Sequence, residues 1–216
     1  MIKNKINILK KNFKKFNIDG YVVPKNDEFF SEYAENDRLK NITGFTGSAG
    51  MAIILKKNHY LFVDGRYTIQ AKNQSGKNFK IIEIHNKFPH TIIKNCKLGF
   101  DPKLFTSKSL KNYFSNNIKL ISIHENLIDK IVKHKTKITK PFFLLSKKIV
   151  GESHQSKIKK IANFLRLNNA DYLFVSAPEN VAWLLNIRGF DNPNSPIPNS
   201  RLIIGKDKKI FLITKK

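Results

Sequence analysis

A glycine-rich segment at residues 44–50 contains the first residues whose types and spacing could do chemistry. Its glycines stand at positions 44, 47 and 50, with Ser48 between them. This spacing fits neither the dinucleotide-binding pattern nor a phosphate loop ending in Gly-Lys-Ser/Thr, so we do not expect phosphate binding. The glycines could instead permit tight packing where a strand begins, with Ser48 bonding local backbone groups. A recognition edge facing a neighbouring site is the alternative interpretation.

Asp64 and Arg66 form a second candidate, in the segment Phe62-Val-Asp-Gly-Arg-Tyr67. They follow a predicted strand, and ligands of open sheets tend to gather at strand ends. An acid and a base two residues apart can equally form a structural ion pair. The sequence alone leaves both interpretations open.

The histidines and the cysteine do not suggest a metal centre or a nucleophile. No histidine stands four residues from another, and none belongs to a pattern that closes a zinc or two-metal site. The six are His59, His85, His90, His124, His134 and His154. Cys96 has no histidine at a spacing that indicates activation, so we expect a half-buried structural thiol and no metal site in this chain.

Composition restricts the class of protein. Of the 216 residues, 41% are apolar and 11% aromatic, which is too rich for a disordered chain. No apolar run approaches the roughly 20 residues that a membrane span needs, and the start of the chain lacks the features of a secretory signal. With one cysteine, no intrachain disulfide can form. We therefore expect a globular protein of the cytoplasm without a membrane partner.

The net charge of +24 would ordinarily suggest a nucleic-acid partner. However, only five of the forty basic residues are arginines, and the lysines are spread along the whole chain. A phosphate-reading surface usually clusters arginine and interleaves aromatic residues. The charge therefore indicates compositional drift, and specific nucleic-acid binding is not expected.

Hydrophobic periodicity predicts the elements that must position these residues. Apolar residues recur at intervals of three and four over residues 2–18, which predicts an amphipathic helix. Strands are predicted at residues 21–24, 51–55 and 59–63, followed by alternating helices and strands that include a helix over residues 125–132. Trp183, in a predicted helix after Pro178, is expected to pack against the preceding strand. The fold class is α/β.

An internal repeat divides the chain. Residues 6–24 match residues 158–175 in the order of elements, residues 41–45 match 186–190, and residues 51–63 match 201–213. Placing the boundary near Lys140 gives domains at 1–140 and 141–216, the second incomplete. Such a truncated copy would leave an open sheet edge and uncovered apolar side chains. We therefore expect the chain to be part of a longer protein.

Several of these segments together resemble the amino-terminal region of Xaa-Pro aminopeptidase (aminopeptidase P) in its long three-domain form. The resemblance rests on Asn41-Ile-Thr-Gly-Phe-Thr-Gly-Ser-Ala-Gly50, on Phe62-Val-Asp-Gly-Arg-Tyr67 and on Gly99-Phe-Asp-Pro102. It continues through residues 125–131 and 177–189 and covers essentially the whole chain in the right order. Val132 departs from the pattern, because relatives often carry Trp at that position.

The resemblance implies two creatinase N-terminal-like domains with mixed β-sheets flanked by helices, followed by a catalytic pita-bread domain. In that family a dinuclear metal site, commonly manganese, activates the water that cleaves Xaa-Pro peptides. Its two Asp, one His and two Glu ligands belong to the third domain, and no segment here matches them. The chain alone should therefore not hydrolyse peptides.

By the same resemblance, this chain would contribute substrate access and homodimer assembly. The motif positions suggested for substrate access are Phe45, Ser48, Arg66 and Tyr67. The alternative hypothesis is a freestanding binding module of the same fold, which could engage polyanions through its lysines. Steep weakening of phosphate binding with salt would favour that alternative, and a flat response would contradict it.

Overall fold

The computed structural model describes residues 1–31, 36–114, 117–132, 141–192 and 194–214. The chain divides into two compact units, Met1–Lys135 and Thr136–Lys216. Lys140, near which the sequence predicts the domain boundary, lies outside the described residues, so the position of that boundary stays a prediction.

The first unit consists of one sheet with helices on both faces. Its helices are α1 (Ile2–Lys15), α2 (Arg38–Thr43), α3 (Thr68–Ser75), α4 (Pro89–Ile92) and α5 (Ser107–Tyr113). Its strands are β1 (Gly20–Pro24), β2 (Gly50–Leu55), β3 (His59–Val63), β4 (Lys80–Glu83), β5 (Cys96–Phe100) and β6 (Ile118–Ser122). The predicted alternation of strands and helices is present.

Helix α1 forms because its apolar side chains share one face. Ile6, Leu9 and Phe13 are buried there, while lysines occupy the remaining positions. Asn17 takes a left-handed conformation with φ 50° just beyond the helix, which turns the chain toward β1. The helix is therefore shorter than the predicted 2–18.

The strands of this sheet lie in the order β4-β3-β2-β1-β5-β6. β2 is antiparallel to both β1 and β3, and the remaining pairs are parallel, so five strands run in one direction. The carboxyl ends of these five strands and the beginning of β2 consequently meet at one edge of the sheet. That edge carries the glycine-rich segment at residues 44–50 and the segment at residues 62–67.

Each face of the sheet is buried by its own set of side chains. One face packs against α1, α2 and α3 through Ile6, Leu9, Phe13, Leu39, Ile42 and Ala71. The opposite face, which carries Val22, Met51, Ile53, Phe62 and Leu98, packs against Ile93, Leu110 and Phe114 from α5 and the ends of α4 and α5. Burial on both faces explains why the central strands are continuously apolar.

The predicted helix over residues 125–132 is wrong, because this segment forms turns. The side chain of Asn126 accepts a hydrogen bond from the backbone N–H of Ile128 at 3.0 Å and donates one to Asp101 at 3.0 Å. Such local side-chain bonds offer the backbone an alternative to the helix. The apolar residues Leu127 and Ile128 are nevertheless fully buried, which accounts for the periodicity that suggested a helix.

The second unit is smaller. Its helices are α6 (Lys147–Val150), α7 (His154–Leu167) and α8 (Pro178–Leu185). Its strands are β7 (Phe143–Leu144), β8 (Tyr172–Val175), β9 (Ile187–Arg188), β10 (Ser200–Gly205) and β11 (Ile210–Thr214). β11, β10 and β8 form a sheet in that order, and β7 pairs with β9.

The two sheets pair corresponding strands, as expected for two copies of one unit, but the hairpin of the second unit is shifted by one residue. Ile53 of β2 is paired with Val22 of β1, and Ile203 of β10 is paired with Phe174 of β8. Gly50 is opposite Val63 in the first unit, and Ser200 is opposite Thr214 in the second. The α/β fold class is confirmed. The main described sheet of the second unit has three strands, against six in the first, and the incompleteness of the second copy stays a prediction.

Trp183 does not pack against the preceding strand as predicted. Its side chain is 59% exposed, whereas Val181, Leu184 and Leu185 of the same helix are buried. These three positions define the inward stripe of α8, and the helical period of 3.6 residues places position 183 outside it.

Within the described ranges, no helix has both the length and the apolar composition needed to cross a bilayer.

Candidate functional site

The glycine-rich segment is shaped by packing around Phe45. Helix α2 ends at Gly44, which has a φ of 84°, and the Thr43 hydroxyl accepts the backbone N–H of Phe45 at 3.0 Å. A Cβ on Gly47 would lie 2.2 Å from the Phe45 ring, so this glycine makes room for the aromatic side chain. The tight-packing interpretation of these glycines therefore has a specific contact behind it.

Phe45 itself is 0% exposed. Its ring meets the ring of Tyr67 edge to face, with centroids 5.9 Å apart and an interplanar angle of 77°. This geometry is favourable for aromatic pairs. Phe45 can therefore pack against Tyr67 and hold it in place, but it cannot itself contact a ligand from solvent.

Ser48 and Tyr67 are joined by a hydrogen bond between their side-chain oxygens at 2.9 Å. Ser48 was expected to bond local backbone groups, and the structure instead gives it a side-chain partner on the segment after β3. This contact ties the glycine-rich loop to Asp64-Gly-Arg-Tyr67. Both hydroxyl groups are only partly buried.

Asp64 and Arg66 form the structural ion pair that the sequence left open. The carboxylate of Asp64 accepts the backbone N–H of Arg66 at 3.0 Å and its Nε–H at 2.8 Å, which caps the short 3₁₀ helix Gly65–Tyr67. The same hydrogen bonds hold the pKa of the Asp64 carboxyl below its ordinary value. The Arg66 side chain is 75% exposed, and its guanidinium lies 5.6 Å from the Tyr67 ring centroid.

All four predicted site residues therefore meet around Tyr67 at the carboxyl edge of the first sheet. Ser48, Arg66 and Tyr67 reach its surface, whereas Phe45 lies in the core. Beside them is a cleft of about 450 Å³. Segments following β1, β3, β4 and β5 line this cleft together with the loop before β2, and Ser48 and Asp64 belong to its wall.

The same unit contains a buried ionic cluster that no sequence motif indicated. The Arg38 guanidinium donates from Nε and Nη2 to both carboxylate oxygens of Asp129 at 2.8 Å, and also from Nη2 to Glu28 at 2.8 Å. Burial alone would lower the pKa of Arg38, but the hydrogen bonds to these two carboxylates raise it. Asp129 is 91 positions from Arg38 in sequence, so no local pattern could have indicated the pair.

No metal-binding group appears in the described part of the chain. Within those ranges, no three or more His, Cys, Asp or Glu side chains converge on a point where they could hold an ion. Cys96 is half-buried on β5, and burial raises the pKa of its thiol, which suits a structural side chain. The described His, Cys, Asp and Glu side chains therefore do not fit a dinuclear metal centre.

Comparison with known families decides the relationship that the fold suggests. The model described as the creatinase/prolidase N-terminal domain matches residues 5–131, and another with the same description matches residues 133–216. The chain belongs to the creatinase/prolidase N-terminal domain family. Its two structural units are thus both similar to creatinase/prolidase N-terminal domains.

Individual relatives agree with this assignment. The probable Xaa-Pro aminopeptidase P of Laccaria bicolor is 33% identical over 227 residues, which covers 95% of this chain and 34% of the relative. Xaa-Pro aminopeptidase 1 of Dictyostelium discoideum is 31% identical and covers 98% of this chain and 38% of its own length. The resemblance to the amino-terminal region of Xaa-Pro aminopeptidases is confirmed.

One solved structure aligns with the whole of this chain. The X-prolyl aminopeptidase of Caenorhabditis elegans, described as a cytosolic enzyme with a di-nuclear active site, aligns with a TM-score of 0.86 and 25% identity. The alignment covers 100% of this chain and 39% of that one. The chain thus spans somewhat more than a third of the length of these relatives.

Proposed function

We propose that the chain is the amino-terminal, non-catalytic part of a metalloaminopeptidase that releases the first residue from Xaa-Pro peptides. The observation that carries this proposal is the match of Xaa-Pro aminopeptidases across 95% of the chain or more, at about a third of their own length. The missing part of the enzyme would hold the two divalent metal ions, with manganese as the proposed metal. The proposed location is the cytoplasm, as for the C. elegans relative.

Within such an enzyme, the surface formed by Ser48, Arg66 and Tyr67 would help to shape substrate access. Arg66 is the exposed member and presents a fixed positive charge, because its guanidinium is held between Asp64 and the Tyr67 ring. A peptide carboxylate is the substrate group that this charge would attract. Phe45 would act indirectly by holding Tyr67 in place.

The proposed assembly is a homodimer, which light scattering on the longer protein would test.

The experiment for the enzymatic role compares two proteins. The coding frame is followed beyond Lys216 in the source DNA, and the longer product and residues 1–216 are assayed with Phe-Pro-Ala and with Phe-Ala-Ala. We expect the longer protein to release Phe from the first peptide only, in a reaction that a chelator stops, and residues 1–216 to be inactive. Activity of residues 1–216 alone, or a longer product without peptidase activity, would contradict the proposal.

The role in access is tested by Arg66→Ala in the longer protein. Loss of one exposed charge contact should raise KM about threefold to tenfold and leave kcat nearly unchanged. The matched control is Lys57→Ala, which removes another exposed positive charge, from the turn between β2 and β3, and should change neither constant. Equal effects of both substitutions would show that only the general charge of the protein matters.

A further inference from the structure

The cleft at the edge of the first sheet lies where the chain connections diverge. The connection after β3 runs through α3, whose Ala71 packs on the same face as α1. The connection after β5 runs through α5, whose Leu110 packs on the opposite face. In open sheets, connections that leave toward opposite faces open a crevice at the carboxyl ends of the strands, and ligands bind there. The cleft of about 450 Å³ occupies this position.

The cleft walls are largely apolar. Met51, Phe62, Leu104, Phe105 and Tyr113 line it. A volume of this size accommodates a ligand with one ring or one branched side chain.

Phe30 is an aromatic residue of the same cleft held in an unusual conformation. It lines the cleft, is 51% exposed and has a φ of 61°. The backbone N–H groups of its neighbours Phe29 and Ser31 donate to the Asp27 carboxylate at 2.9 and 3.0 Å. A bulky side chain at positive φ persists only where the surrounding structure enforces it.

The charged groups of the cleft favour a cation. Among the described lining residues, Asp64 is the one carboxylate, and hydrogen bonds from Arg66 keep it ionised. Lys25 also lines the cleft, but its ammonium lies 2.5 Å from the carboxylate of Asp37. Among the described residues, Asp64 Oδ1 accepts the short bonds from Arg66, and the contacts of Oδ2 are longer, 3.4 Å to Nη2 of Arg66 and 3.9 Å to Nε2 of His85. Oδ2 is therefore available to a stronger donor.

We propose that this cleft is a binding site for a small primary amine with an aromatic or branched apolar body. The ammonium group binds Oδ2 of Asp64, and the apolar body lies against Phe30, Met51 and Phe105. Arg66 competes with the ligand for the same carboxylate. The site belongs to the first unit alone, so its existence does not depend on the peptidase role.

The test uses residues 1–216, isotope-labelled for NMR, and three probes with one apolar body. Phenylalanine amide is cationic, N-acetylphenylalanine amide is neutral and N-acetylphenylalanine is anionic. We expect saturable shifts of the Ser48, Gly50 and Asp64 amides, with affinity for the cation about tenfold above that for the neutral probe and weakest binding of the anion. Absence of saturable shifts, shifts elsewhere, or equal affinities would overturn the proposal.

Three substitutions refine the test. Asp64→Asn keeps a capping side chain and should remove the preference for the cation without changing the affinity for the neutral probe. Arg66→Gln should strengthen binding of the cation about twofold to fivefold, because it removes the competitor. Asp207→Asn, the matched control, changes the charge equally at a carboxylate outside the cleft and should change no affinity.

A substitution that fills the cleft tests whether the probes bind there. Ala49 lines the cleft without being fully buried, so Ala49→Phe should abolish binding of all three probes while the circular dichroism and thermal midpoint stay close to those of the parent. Ser48→Ala serves as the second variant if Ala49→Phe fails to fold, and it should weaken all three probes alike. Undiminished binding in a folded Ala49→Phe protein would exclude this cleft as the site.

Discussion

Single polar residues in the first unit join parts of the chain that are far apart in sequence. The Arg38 side chain is only 5% exposed and reaches both Glu28 and Asp129. Asp129 belongs to the turn segment that replaces the predicted helix over residues 125–132. The guanidinium therefore attaches that segment to the start of α2. Because a buried charge without its partner is costly, the pair specifies where this segment lies.

We predict that Asp129→Asn lowers the free energy of unfolding of the first unit by about 2 kcal/mol, since it removes one of the two described carboxylates that pair with the buried guanidinium. The loss is measured by urea unfolding followed by circular dichroism. Glu125→Gln is the control, because that carboxylate pairs with Lys130 at the exposed surface and its loss should leave stability nearly unchanged. Equal losses would mean that the Arg38 pair adds nothing specific.

A second prediction at this scale concerns pH. Burial, and then the positive charge of Lys10, lower the pKa of His59 below its ordinary value of 6.5. The unfolded state therefore binds a proton more readily than the folded state, and stability falls as the pH drops through 6.5 toward the folded pKa. The thermal midpoint should fall between about pH 7.5 and about pH 5.5, and His59→Phe should reduce that fall. An unchanged pH dependence in the variant would contradict this assignment.

At the scale of the elements, a carbonyl group near the C-terminus of α8 accepts a hydrogen bond from a side chain of α7. Lys157 of α7 is buried, and its ammonium donates to the Trp183 carbonyl at 2.7 Å and to Asn186 Oδ1 at 2.8 Å. It also lies 4.0 Å from the centroid of the Trp183 ring. A cation at a helix C-terminus satisfies free carbonyls and interacts favourably with the helix dipole.

Lys157→Met should therefore destabilise the second unit by about 2 kcal/mol, because the methionine keeps the apolar stem and removes the charge and both hydrogen bonds. Trp183 is the one tryptophan of the chain, so its fluorescence reports the unfolding of this unit. Lys159→Met, at an exposed position of the same helix, is the control and should leave the transition in place. Coinciding transitions for the two variants would show that the buried ammonium has no special role.

For the whole molecule, the most informative contrast is between the two sheets. In the first unit, the face carrying Val22 and Ile53 is covered by Ile93 and Phe114. The equivalent face in the second unit carries Phe174, Ile203 and Phe211 in one cross-strand row. Phe174 and Phe211 are 56% and 54% exposed. A contiguous apolar face of this kind marks a surface suited to interaction or prone to aggregation.

We predict that residues 1–216 bind a hydrophobic dye through this face. The double substitution Phe174→Ser, Phe211→Ser should lower dye fluorescence at least about twofold, with little change in the Trp183 unfolding transition, because exposed side chains contribute little to stability. Leu202→Ser on the opposite, buried face should instead cost about 3 kcal/mol or more. Unaltered dye binding in the double variant would place the dye elsewhere.

Much of the arrangement followed from local patterns. The spacing of Ile6, Leu9 and Phe13 predicted α1, two apolar segments joined by a short turn predicted the hairpin of β2 and β3, and the repeat predicted two copies of one unit. The motif positions Ser48, Arg66 and Tyr67 were found by resemblance, and they do lie together. The predicted helix failed at Asn126, whose side chain bonds Ile128 and Asp101 and so stabilises turns. The prediction for Trp183 failed although the helical period of α8 places position 183 outside the buried stripe.

The sequence by itself determined the α/β class, the repeated unit and the identity of the family, because periodicity and motif order are properties of the chain alone. Tertiary structure decided that Phe45 is fully buried, that Asp64 is shared between Arg66 and a cleft, and that Arg38 pairs with Asp129. These outcomes depend on which residues distant in sequence become neighbours when the strands align. Hydrophobic spacing specifies which side of an element is buried, but it does not specify which polar groups meet there.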